Sequence, residues 1–82
     1  MSFKVADRRK AGTKVKYYVN NNAQQDSGDH EVHKETCYWL TLVQSKKYLG
    51  EFSNAHDAVR EAKKYYSTAD GCAKCCPEAH KS

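Results

Sequence analysis

The chain has 82 residues, 39% apolar composition and a formal net charge of +4. A domain this small hides only roughly 60% of its unfolded surface, so its apolar interior alone gives marginal stability. No apolar run approaches the roughly 20 residues of a membrane-spanning helix, and the first ten residues contain no apolar segment typical of a secretory signal. We therefore expect no membrane association and a reducing, cytoplasmic location.

Positive charge is concentrated at the amino-terminal end of the chain. Six of the 14 lysines and arginines lie in the first 18 residues, which contain a single acidic residue, Asp7. We expect residues 1–13 to form a flexible basic arm that contacts the phosphates of DNA or RNA. A merely solubilising, disordered tail is the alternative. The candidate nucleic-acid-binding residues are Arg8, Arg9, Lys10, Lys14 and Lys16.

The first regular elements are two extended segments. Val15, Tyr17 and Val19 alternate with other residues over residues 14–19, which is the period of a β-strand. A polar loop follows, and residues 29–34 resume an extended pattern. The two segments are predicted to pair as a hairpin.

An apolar patch and a third strand follow the hairpin. Residues 47–52 alternate as a strand, in which Gly50 indicates a bulge or a close backbone approach. Residues 36–43 are predicted to be a short helical turn or an irregular loop. Four apolar side chains of this segment are expected to be core: Trp39, Leu40, Leu42 and Val43.

The clearest predicted element is a helix over residues 55–66. Ser53 or Asn54 can cap its amino-terminal end, and Asp70-Gly71 is expected to turn the chain after it. Its apolar residues recur at helical spacing: Ala55, Ala58, Val59, Ala62, Tyr65 and Tyr66. The predicted class is α+β, with a small antiparallel three-stranded sheet, or a hairpin plus a strand, packed on one C-terminal α-helix and stapled by zinc. Residues 14–82 are expected to form this single zinc-binding domain.

The four cysteines and four histidines suggest the chemistry of the chain. His33-x-x-x-Cys37 and Cys72-x-x-Cys75 are two short chelating pairs, and thiolate and imidazole are the ligands that Zn²⁺ prefers in closed tetrahedral sites. The spacing therefore predicts Zn²⁺ bound by all four residues. Disulfides and free or redox-active thiols are the alternatives.

Further cysteines and histidines compete for the four ligand positions. Cys76 directly follows Cys75, and adjacent side chains point apart. His80 lies in a terminal segment that is expected to fray. His30 is expected to share the strand face of His33. Cys76, His80 and His30 are therefore alternate ligands only.

The motifs resemble a known family. H-x-x-x-C, an aromatic-rich stretch, F-S-x-x-x-x-A before a helix and G-C-x-x-C-C-P look like the Ada-type metal-binding domain, the zinc module of bacterial alkylation-repair proteins and of some nucleases. A closer likeness is to small uncharacterised bacterial proteins with H-x-x-x-C and a G-C-x-x-C-C-P-x-x-H tail. The resemblance implies the ligands His33, Cys37, Cys72 and Cys75. Because His33 stands where the repair proteins have their methyl-accepting cysteine, it does not imply methyl transfer.

Two functions follow from these features. The first is a non-enzymatic zinc module that binds nucleic acid or a protein partner, with no catalytic residues. The second is a thiol-based redox or metal sensor, or an enzyme, in which Cys76 is the reactive group, activated by Lys74 and the bound cation.

Overall fold

The computed structural model describes residues 13–81 of the chain. Within that range it contains four strands, one α-helix and two 3₁₀ helices, and this confirms the small α+β class. The predicted basic arm falls almost wholly on residues 1–12, outside the described residues. No helix within residues 13–81 is long and apolar enough to cross a bilayer. The elements are β1 (Val15–Asn20), β2 (His30–Lys34), a first 3₁₀ helix (Tyr38–Leu42), β3 (Lys46–Phe52), α1 (Ala55–Ala62), β4 (Ala69–Gly71) and a second 3₁₀ helix (Pro77–Ala79).

The strands form one mixed sheet in the order β3-β1-β2-β4. β1 is antiparallel to both of its neighbours, whereas β4 runs parallel to β2. The prediction of a three-stranded antiparallel sheet is therefore wrong, because the expected turn at Asp70-Gly71 is part of β4. The backbone pairing continues just beyond this strand, where the Cys72 amide donates to the Val32 carbonyl at 2.9 Å.

Two crossover connections cover the two faces of the sheet. α1 connects β3 to β4 across one face, which we call the helix face, and the first 3₁₀ helix lies between β2 and β3 on the other, which we call the cysteine face. Adjacent residues of a strand point to opposite faces. Tyr17 accordingly belongs to the core of the helix face, whereas Tyr18 packs on the cysteine face.

The buried residues divide unequally between these faces. Those of the helix face are Tyr17, Val19, Val32, Leu49, Ala55, Ala58, Val59, Ala62, Ala69, Cys76 and Ala79. Among residues 13–81 the cysteine face has only three buried apolar residues, Cys37, Leu40 and Cys72, beside the buried His33; Tyr18, Val43 and Cys75 pack against them. The cysteine face therefore has little apolar packing of its own.

Helix α1 begins as predicted but ends early. The Asn54 side chain caps it by accepting a hydrogen bond from the Asp57 amide at 2.9 Å. The helix ends at Ala62 rather than at residue 66, because the chain must turn back to form β4. Tyr66 lies in that turn, and its hydroxyl donates to Asn21 Oδ1 at 2.7 Å. Tyr65 is exposed and does not extend the apolar stripe.

Two further predictions concern the segments beside β1. The register between β1 and β3 shifts at Tyr17/Tyr18, opposite Gly50, which confirms the predicted bulge. The first 3₁₀ helix confirms the predicted helical turn. The expectation that Trp39 and Leu42 are core is wrong, since they are 43% and 56% exposed. A helix of little more than one turn can bury only one side, and that side is occupied by Leu40.

Candidate metal centre

The first pair of candidate ligands lies at the end of β2. His33 is in the strand, where alternation directs it to the cysteine face, and it is only 2% exposed. Cys37 follows a tight turn in which its amide donates to the Lys34 carbonyl at 3.0 Å, and it directly precedes the first 3₁₀ helix. The turn brings the Cys37 sulfur to 3.6 Å from His33 Nδ1.

The second pair follows β4. Cys72 leaves the strand and Cys75 ends a tight turn, which is closed by a hydrogen bond from the Cys76 amide to the Cys72 carbonyl at 2.8 Å. Because β4 is parallel to β2, this turn emerges beside the end of β2 that carries the first pair. The parallel pairing is therefore the feature of the fold that brings the two pairs together.

The four ligand atoms converge on one point. The imidazole nitrogen of His33 and the sulfurs of Cys37, Cys72 and Cys75 all lie within 4.8 Å of one another. Bond lengths of about 2.0–2.1 Å for Zn–N and about 2.3 Å for Zn–S require N···S edges of about 3.6 Å in a tetrahedron. His33 Nδ1 lies 3.6 Å from the Cys37 sulfur and 4.0 Å from that of Cys75. The group could therefore hold a metal ion.

Backbone amides surround the sulfurs in a repeated pattern. The amides of Trp39 and Leu40, two and three residues on, lie near the Cys37 sulfur and partly oppose the rise of its pKa that burial causes. The amides of Lys74 and Cys75 stand in the same relation to the Cys72 sulfur. The Cys75 sulfur accepts from the Lys34 amide at 3.4 Å. Such bonds are strongest when the acceptor is charged, so each sulfur is placed to be a thiolate.

Without an ion these sulfurs are protonated at neutral pH. Burial raises the pKa of the Cys72 thiol to about 11. The hydrogen bond with Cys76, followed by burial, raises the pKa of Cys75 to about 11. Burial also raises the pKa of Cys37. A metal ion must therefore displace the thiol protons when it binds, and the positive charge of the ion would then stabilise the thiolates.

Glu31 is a neighbour of the site that the sequence reasoning missed. Its Oε1 lies 3.8 Å from His33 Nε2, the ring nitrogen opposite the one that faces the sulfurs. Metal-binding histidines commonly present their second nitrogen to a carboxylate, which fixes the ring and its tautomer. Glu31 precedes His33 by two residues, so strand periodicity already placed both on one face.

The alternate ligands lie outside the group of four. Cys76 is fully buried in the core of the helix face, although its sulfur is 3.7 Å from that of Cys75. His80 does not fray as expected, because its Nδ1 lies 2.9 Å from the Gly71 carbonyl and 3.3 Å from Asp70 Oδ2. His80 therefore belongs to contacts that fasten the C-terminal segment to β4.

His30 and Gly71 also differ from expectation. His30 precedes His33 by three residues and so lies on the opposite face of β2, where its ring stacks on Tyr66 at 3.9 Å. Gly71 lies in β4 rather than in the expected turn, and its φ is not positive. A β-carbon there would lie 2.8 Å from the Cys76 carbonyl oxygen, so glycine is needed for a close approach of backbones.

The candidate nucleic-acid-binding residues are only partly described. Lys14 and Lys16 are exposed at the start of β1, whereas Arg8, Arg9 and Lys10 lie outside the described residues. Three other lysines converge elsewhere, on a cleft of about 600 Å³ between β3 and the end of α1. We call it the lysine-lined cleft, and its lining residues are Asn21, Lys46, Lys47, Lys64, Tyr65 and Tyr66.

Comparison with known proteins yields no relative. No protein-family model, curated protein sequence or solved structure matches the chain. The likeness to Ada-type domains stays a prediction that depends on the spacing of His33, Cys37, Cys72 and Cys75. Further conclusions must come from the site itself.

Proposed function

We propose that the chain is a zinc-binding module in which the ion stabilises the fold and is not catalytic. The observation that carries this proposal is the convergence of one imidazole and three thiols within 4.8 Å, three of the four residues being buried. Such a donor set favours Zn²⁺, and four protein ligands complete its tetrahedron. No coordination position would remain for a substrate or a reactive water.

The neighbouring carboxylates also favour a structural role. Glu78, two residues after Cys76, accepts a hydrogen bond from the Ala55 amide at 3.4 Å, at the start of α1. Glu31 faces the imidazole of His33. Neither arrangement provides a general base for a metal-bound water. Cys76, the reactive group of the alternative hypothesis, is fully buried and has no contact with solvent.

Metal analysis of freshly isolated protein tests the proposal. We expect one Zn²⁺ per chain, and substitution with Co²⁺ should give the absorption of a tetrahedral thiolate complex. Cys72→Ser should lose both, whereas Cys76→Ala should retain both, because Cys76 is not among the four ligands. Equal metal content in the two variants would contradict the assignment.

Nucleic-acid binding is a second candidate function, favoured by the lysine-lined cleft between β3 and α1. Lys47 Nζ lies 4.4 Å from the centre of the Tyr65 ring, and the exposed tyrosine offers a face for stacking. A basic groove with aromatic side chains is typical of single-strand binding. Binding of a labelled oligonucleotide should weaken as salt rises and should weaken further in Lys46→Glu/Lys47→Glu. Identical affinity in that variant and the unchanged protein would exclude this cleft.

A further inference from the structure

An open cleft, separate from the lysine-lined one, lies directly beside the candidate metal centre. Its volume is about 570 Å³, within the range of about 300–1,000 Å³ that is usual for ligand sites. His33 and Cys72 form part of its lining, so its floor is continuous with the metal centre. Its other lining residues include Asn20, Gln24, Glu31, Trp39, Gln44 and Lys74.

Trp39 supplies an aromatic wall of this cleft. It is 43% exposed although it is the largest side chain of the chain, and exposure of that kind is informative when it borders a concave site. Tyr38 packs edge-on against it, with ring centres 5.4 Å apart and planes at 74°. Tryptophan is the aromatic side chain that binds cations best through its face.

The charges of the cleft favour a positive ligand. Glu31 carries a carboxylate on the lining, and Lys74 is the only cationic side chain among the lining residues. These two charges offset each other, and on the proposed function, on which this step rests, three thiolates and one divalent ion leave the floor of the cleft with a net negative charge. A phosphate would be repelled by that centre, whereas a cation would be attracted.

The hydrogen-bond acceptors that line the cleft favour a guanidinium among the possible cations. Glu31 faces His33 Nε2 with one oxygen and is 21% exposed, so its carboxylate is also within reach of a ligand. Amide side chains of Asn20, Gln24 and Gln44 add carbonyl acceptors around the cleft. A guanidinium has five donors and no acceptor, stacks flat on aromatic rings and pairs with carboxylates through two bonds. An arginine side chain therefore matches both the shape and the acceptors of the cleft.

We propose that the cleft between Trp39 and Glu31 binds an arginine side chain of a partner protein, by stacking on the indole and pairing with the carboxylate. The ligand is thus a cationic peptide segment. The metal centre forms the floor beneath it, and the surface beside the zinc site becomes a recognition site.

Trp39 is the only tryptophan of the chain, so its fluorescence reports binding directly. We would titrate the full, metal-containing chain with N-acetylarginine amide, N-acetylcitrulline amide, N-acetyllysine amide and thymidine. We expect saturable quenching by the arginine compound. Citrulline has the same shape without the charge and should bind about tenfold more weakly or worse, the loss that follows when a charged hydrogen bond is removed.

Glu31→Gln should weaken arginine binding by about tenfold, since the charged partner is lost. Glu51→Gln is the matched control, because Glu51 is exposed on β3, away from the cleft, and should leave binding unchanged.

Metal content is measured on the same samples. Full metal content with no saturable arginine binding overturns this inference alone, whereas protein without metal overturns the proposed function. Equal binding of arginine and citrulline, or preference for thymidine, would also overturn the inference and point to a neutral ring as ligand.

Discussion

The two faces of the sheet are covered in different ways. On the helix face, α1 and the second 3₁₀ helix bury a continuous apolar core that includes Val19 and Val32. On the cysteine face the buried residues described are His33, Cys37, Leu40 and Cys72, three of which are candidate metal ligands. Apolar packing therefore covers one face of this small sheet, whereas the other has few apolar contacts and would gain most from metal coordination.

The largest expected effect is on the cysteine face. Cys72→Ser removes one ligand, and the apparent binding free energy of structural zinc is on the order of 10 kcal/mol, comparable with the whole stability of a domain. We expect loss of bound metal and a large fall in the midpoint of thermal unfolding, measured by calorimetry. Cys76→Ala should unfold cooperatively with metal bound. A cooperative, stable Cys72→Ser protein would show that packing alone holds this face.

The pH dependence of stability should reverse sign with metal content. Thiols titrate near pH 8.5 when unfolded, and burial and hydrogen bonding raise the pKa of Cys72 and Cys75 to about 11 in the metal-free fold. Metal-free protein is therefore fully stabilised by these groups below about pH 8.5 and loses that contribution as the pH rises toward 11. Metal-bound protein should instead lose stability in acid, because protons compete for the thiolates. The unfolding midpoint should be measured from about pH 5 to about pH 10. It should fall with rising pH in the metal-free form and rise with pH in the metal-bound form. The same pH dependence in both forms would contradict this prediction.

A substitution in the core of the helix face should lower the unfolding free energy without changing the metal content. Val32 is fully buried, and Val32→Ala should cost about 2 kcal/mol of unfolding free energy by leaving a cavity. Metal content should stay at that of the unchanged protein. Denaturant unfolding and metal analysis of the same sample check both. Loss of metal in this variant would show that the two faces are not independent.

The smallest expected effect is at the helix cap. Asn54→Ala removes the bond to the Asp57 amide and should lower the unfolding free energy by about 1 kcal/mol. Ser53→Ala, one residue earlier, is the control and should change it by a few tenths at most. A similar cost in the two variants, by denaturant titration, would remove Asn54 from its role as the cap.

The spacing of apolar residues predicted the elements that bury one side against the core. Alternation in β1 and the helical spacing from Ala55 to Ala62 are direct consequences of burying one side of each element. Residues 69–71, Ala-Asp-Gly, have no such pattern and low strand propensity, so β4 depends on its pairing with β2. The end of α1 depends on Tyr66 reaching Asn21, a contact 45 residues distant in sequence.

The candidate site was predictable in its members but not in its assembly. Spacing identified His33, Cys37, Cys72 and Cys75 as chelating pairs, whereas their convergence depends on the parallel β2–β4 pairing. The cleft was not predictable at all. An apolar side chain such as Trp39 is ordinarily expected to be buried, and only the short 3₁₀ helix turns it outward.

Quantification of metal in freshly purified protein shows whether the four candidate ligands hold an ion. One Zn²⁺ per chain, released stoichiometrically as the cysteines are modified by a thiol reagent, is the expected result. Protein that is fully folded with no bound metal, and that takes up none when Zn²⁺ is added under reducing conditions, would contradict it.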